Sequence, residues 1–424
     1  MSHMNKPTRL RTDGPLGAPP ARAAGRVPRV AVDLDTILEP WFQALMEQAG
    51  RPALFDAHTH FGQNDPDTFR QTAEELLAGL DRIGARGLVF PMHEPDGYGP
   101  ANDAVLEAAA SSGGKLTALC RVQPRDDGAL AEARRCMDAG AAGIKLHPRA
   151  EAFGMEEPAV RDLMALAHER RAVVLMHAGR GIPALGANTI HYSEEFPDAR
   201  LILAHCAISD LAWLVRELAS HPNVYIDTSW WHPADILGVF CLVAPGQILW
   251  ASDSPYGRPL ASALQTMRCA LEAGLSHEQI AGVFGGQVQR LITGQEPLDL
   301  GPAPGPSPPV DLLLDRVNAH LTAALGRAMG GGDPMESIGL ARLAAGVGDD
   351  HPQADVFATI LWLLDLFEEH IGPPAPGRAF PEAARLMVTA LILARTPRAA
   401  LPPEIAARHG DASHEHAQRG ESAS

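Results

Sequence analysis

The sequence predicts an α/β protein, a (β/α)₈ TIM barrel followed by an all-α extension. Short apolar runs recur along residues 54–292, and each is followed by a segment whose apolar residues have helical spacing. The runs are apolar on both faces, which is typical of parallel strands buried between two layers. Eight strand–helix units of this kind favour a closed barrel over an open doubly wound sheet.

The eight predicted strands share one pattern, an apolar run that ends in polar residues. They lie at residues 54–60, 87–93, 116–122, 143–148, 172–178, 201–207, 223–229 and 247–253. No G-x-G-x-x-G motif follows the first run, which disfavours a dinucleotide-binding fold.

Composition divides the chain into five predicted regions. Residues 1–30 are rich in Pro, Gly, Ala and Arg and lack the apolar core of a signal peptide, so we expect them to be disordered. Residues 31–300 form the barrel, and the Pro-rich residues 301–309 form a linker. Residues 310–407 form a helical module, either a lid or a dimer interface, and the polar residues 408–424 form a disordered tail.

Charge and cysteine usage narrow the class of protein. The 424 residues carry a net charge of −16, which argues against a nucleic-acid partner. Five scattered cysteines without a C-x-x-C pair indicate free thiols in a reducing compartment, so we expect a cytoplasmic location. No apolar run reaches the length of a membrane span. We expect a homodimer that acts on a small molecule.

The most informative short motif is His58-Thr59-His60 at the end of the first run. Side chains alternate along a strand, so both imidazoles point the same way and can bind one divalent metal. Polar residues also end the other runs: His93, Arg121, Lys145, His147, His177, His205, Asp227 and Asp253. Because barrel strands bring their carboxyl ends to one face, we expect these side chains to converge there.

At this point the chain resembles the amidohydrolase superfamily, in particular the amidohydrolase 2 (ACMSD-like) subgroup of metal-dependent hydrolases and decarboxylases. The matching motifs are FDAHTH (55–60), VVLMHAGRG (173–181), LILAHCA (201–207) and WASDSPYG (250–257). The segment GGQVQRL (285–291) resembles the helix after the last strand, with Gln287 where asparagine is common. The resemblance covers roughly residues 54–292 and specifies no substrate.

The resemblance implies a metal bound by His58, His60, His177 and Asp253. It implies zinc first, with manganese or iron as alternatives, and one ion rather than two. Asp253 would also shuttle a proton. His205 would stabilise charge or move a proton in a one-metal enzyme, or bind the second metal in a two-metal enzyme.

Lys145 has three interpretations. It is a carbamylated ligand bridging two metals, a free ammonium that binds a substrate carboxylate, or a member of a structural salt bridge. The other candidates for substrate contact lie at strand ends or in the loops after them: His93, Arg121, His147, Arg180, Tyr256 and Arg258. The Trp230-Trp231-His232 cluster either walls the pocket or packs under the C-terminal helices.

The leading functional hypothesis is a metal-dependent hydrolase that cleaves an amide, ester or lactone bond of a small anionic molecule. The alternative is a non-oxidative decarboxylase of an aromatic or unsaturated acid, which would use the same ligands. A barrel that binds without catalysis is disfavoured by the intact set of ligands. A metal-dependent nuclease of the TatD type is disfavoured by the negative charge.

Overall fold

A computed structural model describes residues 33–306, 309, 311–372 and 381–402. The predicted disorder of residues 1–30 and 408–424 therefore lies outside the described residues. Residues 34–402 belong to one compact unit. Its strands are β1 Phe55–Phe61, β2 Arg86–Pro91, β3 Leu116–Ala118, β4 Cys120–Arg121, β5 Gly143–Leu146, β6 Val173–Met176, β7 Arg200–Leu203, β8 Val224–Asp227 and β9 Ile248–Leu249.

All the strand pairings are parallel and follow chain order, β1 to β3 in one sheet and β4 to β9 in another. The predicted third strand is two short pieces, β3 and β4, which are separated by Leu119, and the Leu119 amide donates to Val89. Backbone hydrogen bonds from Ala57 to Trp250 (3.0 Å) and from His60 to Ser254 (2.7 Å) join β1 to the segment after β9. The nine pieces thus occupy eight barrel positions, which confirms the predicted fold class.

Helices alternate with the strands and continue after the barrel. They are α1 Leu34–Gln48, α2 Ala73–Asp81, α3 Gly99–Ser111, α4 Ala129–Asp138, α5 Pro158–Arg170, α6 Leu185–Glu195, α7 Leu211–Leu214, α8 Pro233–Leu242, α9 Pro259–Ala273, α10 His277–Ala281, α11 Gln287–Ile292, α12 Leu312–Met329, α13 Met335–Ala345, α14 Ala354–His370 and α15 Ala384–Leu393. No helix of the described chain is both long and apolar enough to cross a membrane.

Strand alternation sorts the apolar residues into two clusters. Ile144, Val174 and Leu201 belong to the larger cluster, which includes the surrounding helices. Val173, Leu175 and Ile202, which neighbour Val174 and Leu201 in sequence, belong to a smaller inner cluster. Its members are Phe55, Ala57, Leu88, Phe90, Leu119, Val173, Leu175, Ile202, Ala204, Tyr225, Leu249, Ala251, Val288 and Leu291. Because two members come from α11, this helix closes the amino end of the barrel.

The register of β1 slips by one residue within the motif that carries the two histidines. Asp56 pairs with Gly87, whereas Thr59 pairs with Val89. Such a slip changes the face that the following side chains occupy. The slip lets His58 and His60 face the barrel interior, as Ala57 does. Simple alternation would place both histidines on the face opposite to that of Ala57.

The C-terminal helices pack against the flank of the barrel. Helix α15 contacts α9, and Trp362 of α14 stacks on Trp41 of α1 with ring centroids 6.3 Å apart. Arg268, fully buried in α9, donates to the carbonyl groups of Thr396 (2.7 Å) and Ala400 (2.9 Å). The predicted boundaries of the helical module remain a prediction.

Candidate metal centre

The side chains at the centre of the site follow from strand alternation. Beyond the inner-cluster residues Leu175 and Ala251, the next inward positions are His177 and Asp253. Lys145 and Asp227 are inward-facing residues of β5 and β8, and both are fully buried. The predicted convergence of strand ends is therefore present in the structure.

Three ligand atoms form a tight triangle at the mouth of the barrel. His58 Nε2 lies 3.1 Å from His60 Nε2 and 3.1 Å from Asp253 Oδ1, and His60 Nε2 lies 3.0 Å from the same oxygen. All three corners of such a triangle can reach one ion at the usual metal–nitrogen distance of about 2.0–2.1 Å. Burial lowers the pKa of His60 to about 3, so its imidazole is neutral and able to bind a metal.

Hydrogen bonds determine which nitrogen of His58 carries the proton. Its Nδ1 lies 2.8 Å from a carboxylate oxygen of Asp227, which can only accept, so Nδ1 donates. Burial opposes a second proton on this ring, but Asp253 and Asp227 raise the pKa of His58. In the neutral ring the lone pair is on Nε2 and faces the oxygen of Asp253. A lone pair and a carboxylate at 3.1 Å repel each other unless a cation or proton lies between them. This donor set fits a divalent metal.

His205 and His177 form a chain in which each tautomer is fixed by its neighbour. His205 Nδ1 lies 2.9 Å from the backbone carbonyl of Ser229 and must donate to it, so its Nε2 accepts from His177 Nδ1 at 2.9 Å. The remaining nitrogen, His177 Nε2, is buried and has no hydrogen-bond partner among the described residues. It offers a lone pair to a metal, and the role of His177 as the third imidazole ligand stays a prediction.

The imidazole of His205 lies close to the triangle. Ligand atoms of His58, His205 and Asp253 all lie within 4.8 Å of one another. With its Nδ1 proton on Ser229 and its Nε2 bonded to His177, however, His205 has no free lone pair in this arrangement. Both ring nitrogens of His205 are occupied, so His205 can bind a metal or donate to a substrate only by giving up one of these partners.

Lys145 is a buried cation beside the triangle. Its Nζ lies 3.4 Å from His58 Nε2 and 4.8 Å from the centroid of the Phe90 ring. Burial, together with the charge of Arg121, lowers the pKa of Lys145 to about 7. Lys145 forms no ion pair with a carboxylate of the described residues, which disfavours the salt-bridge interpretation.

Arg121 and Tyr256, both predicted substrate-contact residues, have partners within the protein. Arg121 donates from Nε (3.0 Å) and Nη2 (2.6 Å) to Glu151, and its guanidinium lies over the Tyr98 ring. The Tyr256 hydroxyl donates to Asp65, and its ring lies 5.5 Å from that of His60. Both line the site, but these partners occupy the polar groups that a substrate would need.

The other predicted contact residues lie around the mouth. His147 stacks on His177 with ring centroids 3.9 Å apart, and its Nδ1 accepts from the Ala150 amide. His93 is half-buried, and its Nδ1 has no hydrogen-bond partner in the part of the chain that the structure describes. Arg180 is exposed in the loop after β6. Arg258, by contrast, pairs with Glu382 of the C-terminal region at 2.7 Å.

Sequence reasoning placed Asp227 at a strand end but gave it no role, and it did not identify Glu151 or Ser229. Asp227 can be recognised in the sequence as a carboxylate at a strand end. Its position would have been a sufficient signal to predict a hydrogen bond to a ligand imidazole. Glu151 lies in a loop 30 residues after Arg121, and no periodicity links the two.

A comparison with protein families identifies the chain. The amidohydrolase family model matches residues 55–286, more than half of the chain. The chain belongs to the amidohydrolase family. It is therefore an enzyme of a metal-dependent family, and the resemblance predicted from its motifs is confirmed. No curated protein matches the amidohydrolase chain in sequence.

Several solved structures are similar to this amidohydrolase at low identity. They include 5-carboxyvanillate decarboxylase from Sphingomonas paucimobilis, with 16% identity, a TM-score of 0.47 and coverage of 57% of this chain and 99% of that one. 2,6-Dihydroxybenzoate decarboxylase from Rhizobium has 13% identity, a TM-score of 0.46 and coverage of 57% and 99%. 4-Oxalomesaconate hydratase from Rhodopseudomonas palustris has 13% identity, a TM-score of 0.45 and coverage of 57% and 96%. At these values the likenesses carry no argument about its chemistry.

Proposed function

We propose that the chain is a metal-dependent hydrolase that cleaves an amide, ester or lactone bond of a small anionic molecule. The observation that carries the proposal is the triangle of His58 Nε2, His60 Nε2 and Asp253 Oδ1, with sides of 3.0–3.1 Å. The free Nε2 of His177 would complete the donor set. Nitrogen and carboxylate donors suit zinc first, with manganese or iron as alternatives. The compact triangle supports one ion rather than two.

When bound, such an ion would supply Lewis acidity, which lowers the pKa of water and polarises a carbonyl group. Asp253 has one oxygen in the triangle, and its other oxygen lies 3.9 Å from His205 Nδ1. It would take the proton from the attacking water and deliver it to the leaving nitrogen or oxygen. His205, whose Nδ1 lies 3.9 Å from that second oxygen, would stabilise negative charge or move a proton once it exchanges its present partner for the substrate.

The buried ammonium of Lys145 supports an anionic substrate. Among the described residues no carboxylate lies within ion-pair distance of its Nζ, and burial disfavours its charged form. A carboxylate on the substrate would supply the missing counter-charge and would raise the pKa of Lys145. The exposed Arg180 lies near the mouth and can attract the same group.

Decarboxylation of an aromatic acid is the second candidate, and the aromatic residues after β8 favour it. The Trp230 ring lies 6.3 Å from the His205 ring and 5.6 Å from the Trp231 ring. The Trp230 indole donates to Asp235 at 2.7 Å, which fixes its orientation. A fixed indole beside the metal site offers a flat face for an aromatic substrate.

Product analysis separates the two reactions. Protein stripped of metal by a chelator is reloaded with zinc, manganese or iron and is assayed on carboxylated lactones, esters and amides, and on aromatic carboxylic acids. Metal-dependent release of acid without CO₂ supports the hydrolase. Metal-dependent CO₂ release supports the decarboxylase instead. Well under one equivalent of metal under every condition, with no turnover, contradicts both.

A further inference from the structure

The fully buried carboxylate of Asp227 accepts hydrogen bonds on both of its oxygens, and each oxygen serves a different part of the site. Oδ2 lies 2.8 Å from His58 Nδ1. Oδ1 accepts from the backbone amides of His205 and Ser229, both at 3.0 Å, and from the Ser229 hydroxyl. The donors hold the pKa of Asp227 below its ordinary value, although burial opposes its charge.

The oxygen that faces His205 supports an unusual turn. His205, Cys206 and Ala207 all have left-handed backbone conformations, with φ of 57°, 56° and 50°, and none is glycine. A left-handed conformation is unfavourable for residues other than glycine. Ala204 belongs to the inner cluster of the barrel, so simple alternation would turn the His205 side chain towards the outer helices. The turn instead brings its ring into the mouth.

We propose that Asp227 is the positioning residue that organises this site. Through Oδ2 it holds the proton of His58 on Nδ1, so that the lone pair of Nε2 faces the metal triangle. Through Oδ1 it holds the turn that presents His205. The consequence for metal affinity rests on the proposed function, whereas the tautomer of His58 does not.

An Asp227→Asn variant separates these two tasks. Three donors converge on the Oδ1 side, so the amide oxygen of the variant must stay there and the NH₂ group must face His58 Nδ1. An NH₂ group only donates, so His58 Nδ1 must become an acceptor and the ring proton must move to Nε2. That proton would then lie in the metal triangle. The variant should keep the turn and lose metal affinity.

Asp56→Asn is the matched control. Asp56 is another fully buried acidic side chain of the barrel. Its Oδ1 accepts from the backbone amides of His58 (3.1 Å) and Ser252 (2.9 Å), and it makes no hydrogen bond to an imidazole. The same change of carboxylate to amide at this position should leave the His58 tautomer unaltered.

The experiment has two readouts, on the whole chain. Nitrogen NMR of ¹⁵N-histidine-labelled, metal-free protein, recorded at a pH high enough for His58 to be neutral, reports its tautomer, assigned with a His58→Asn variant. Zinc titration against a competing chelator reports affinity. We expect an Nδ1–H tautomer in the wild type and in Asp56→Asn, an Nε2–H tautomer in Asp227→Asn, and zinc affinity about 10–100-fold lower in Asp227→Asn alone.

Each outcome is decisive. An Nε2–H tautomer in the wild-type protein would overturn the proposal without recourse to any variant, even if Asp227→Asn fails to fold. Equal zinc affinities of the two amide variants, with the wild type binding zinc, would overturn it as well. A wild type that binds no metal but shows the expected tautomers would support the role of Asp227 and contradict the proposed function.

Discussion

At the scale of single residues, Asp253 has the most demanding role. One oxygen belongs to the ligand triangle and the other faces His205, so in the proposed reaction a single carboxylate would both bind the ion and move the proton. The imidazole of His58 holds the pKa of Asp253 well below its ordinary value although burial opposes its charge. Its ionised form is therefore the form present at neutral pH.

Asp253→Asn should retain a ligand oxygen and lose the proton acceptor. We expect kcat to fall by about 10²–10⁴-fold at saturating metal, which is the usual contribution of a general acid–base residue. Steady-state kinetics, with bound metal measured in the same samples, checks this. A kcat within a few-fold of wild type at full metal content would show that Asp253 does not carry the proton.

Most of the candidate ligands could be predicted from the sequence, but the way they converge could not. Strand alternation places His177 and Asp253 inside the barrel without further information. The slip in β1 and the left-handed turn at His205 both break that alternation, and neither has a glycine that would reveal it. The sequence motif identified those histidines, while irregular backbone delivers them to the site.

At the scale of elements, the third barrel position shows how a helix can complete a strand. Asn102 of α3 accepts from the Arg121 amide (2.9 Å) and donates to the Arg121 carbonyl (3.1 Å). The same side chain donates to Glu132 of α4 at 2.9 Å. The apolar run at residues 116–122 predicted one continuous strand. An apolar run does not show that the Asn102 side chain, rather than the backbone of a neighbouring strand, bonds the backbone of Arg121.

Glu132 makes the stability of this region depend on pH. Hydrogen bonds from Arg135 lower its pKa to about 2, against burial. A carboxylate with a lowered pKa stabilises the fold fully above its unfolded value and loses that contribution as pH falls through the folded value. The difference in unfolding free energy between wild type and Glu132→Gln should therefore be constant near neutrality, shrink below pH 4.5 and vanish near pH 2.

Urea unfolding of both proteins across that range measures the difference. In an Arg135→Met background, the pH dependence of the Glu132→Gln effect should largely disappear, because the main cause of the pKa shift is gone. A difference that stays constant down to pH 2 would rule out the coupling.

At the scale of the whole molecule, Arg268 ties the C-terminal region to the barrel. Its guanidinium is fully buried and donates to Thr396, Ala399 and Ala400, and burial lowers its pKa to about 10. All of its hydrogen-bond acceptors come from residues after α15. The sequence predicted a helical module in this region but not this contact, because the contact joins positions about 130 residues apart.

Truncation after residue 394 should leave the Arg268 charge buried without its acceptors. We expect a loss of about 3–5 kcal/mol in unfolding free energy, as for other buried charges that lose their partners. The same truncation in an Arg268→Met background should cost distinctly less, and chemical denaturation of the four proteins measures both. Equal losses in the two backgrounds would contradict the role of Arg268.

The homodimer stays a prediction, which light scattering of the intact chain tests.

Helix α11, which packs among the inner-cluster residues, determines how molecules can enter and leave the barrel. Val288 and Leu291 are fully buried at the amino end of the strands, so the part of the barrel that the structure describes is a cup rather than a tube. Water, substrate and product must therefore pass through the same opening at the carboxyl ends of the strands. Asp253 is partly exposed at this opening. A bound substrate then blocks the entry of further water. In the proposed hydrolysis, the attacking water must therefore already be in place when the substrate enters.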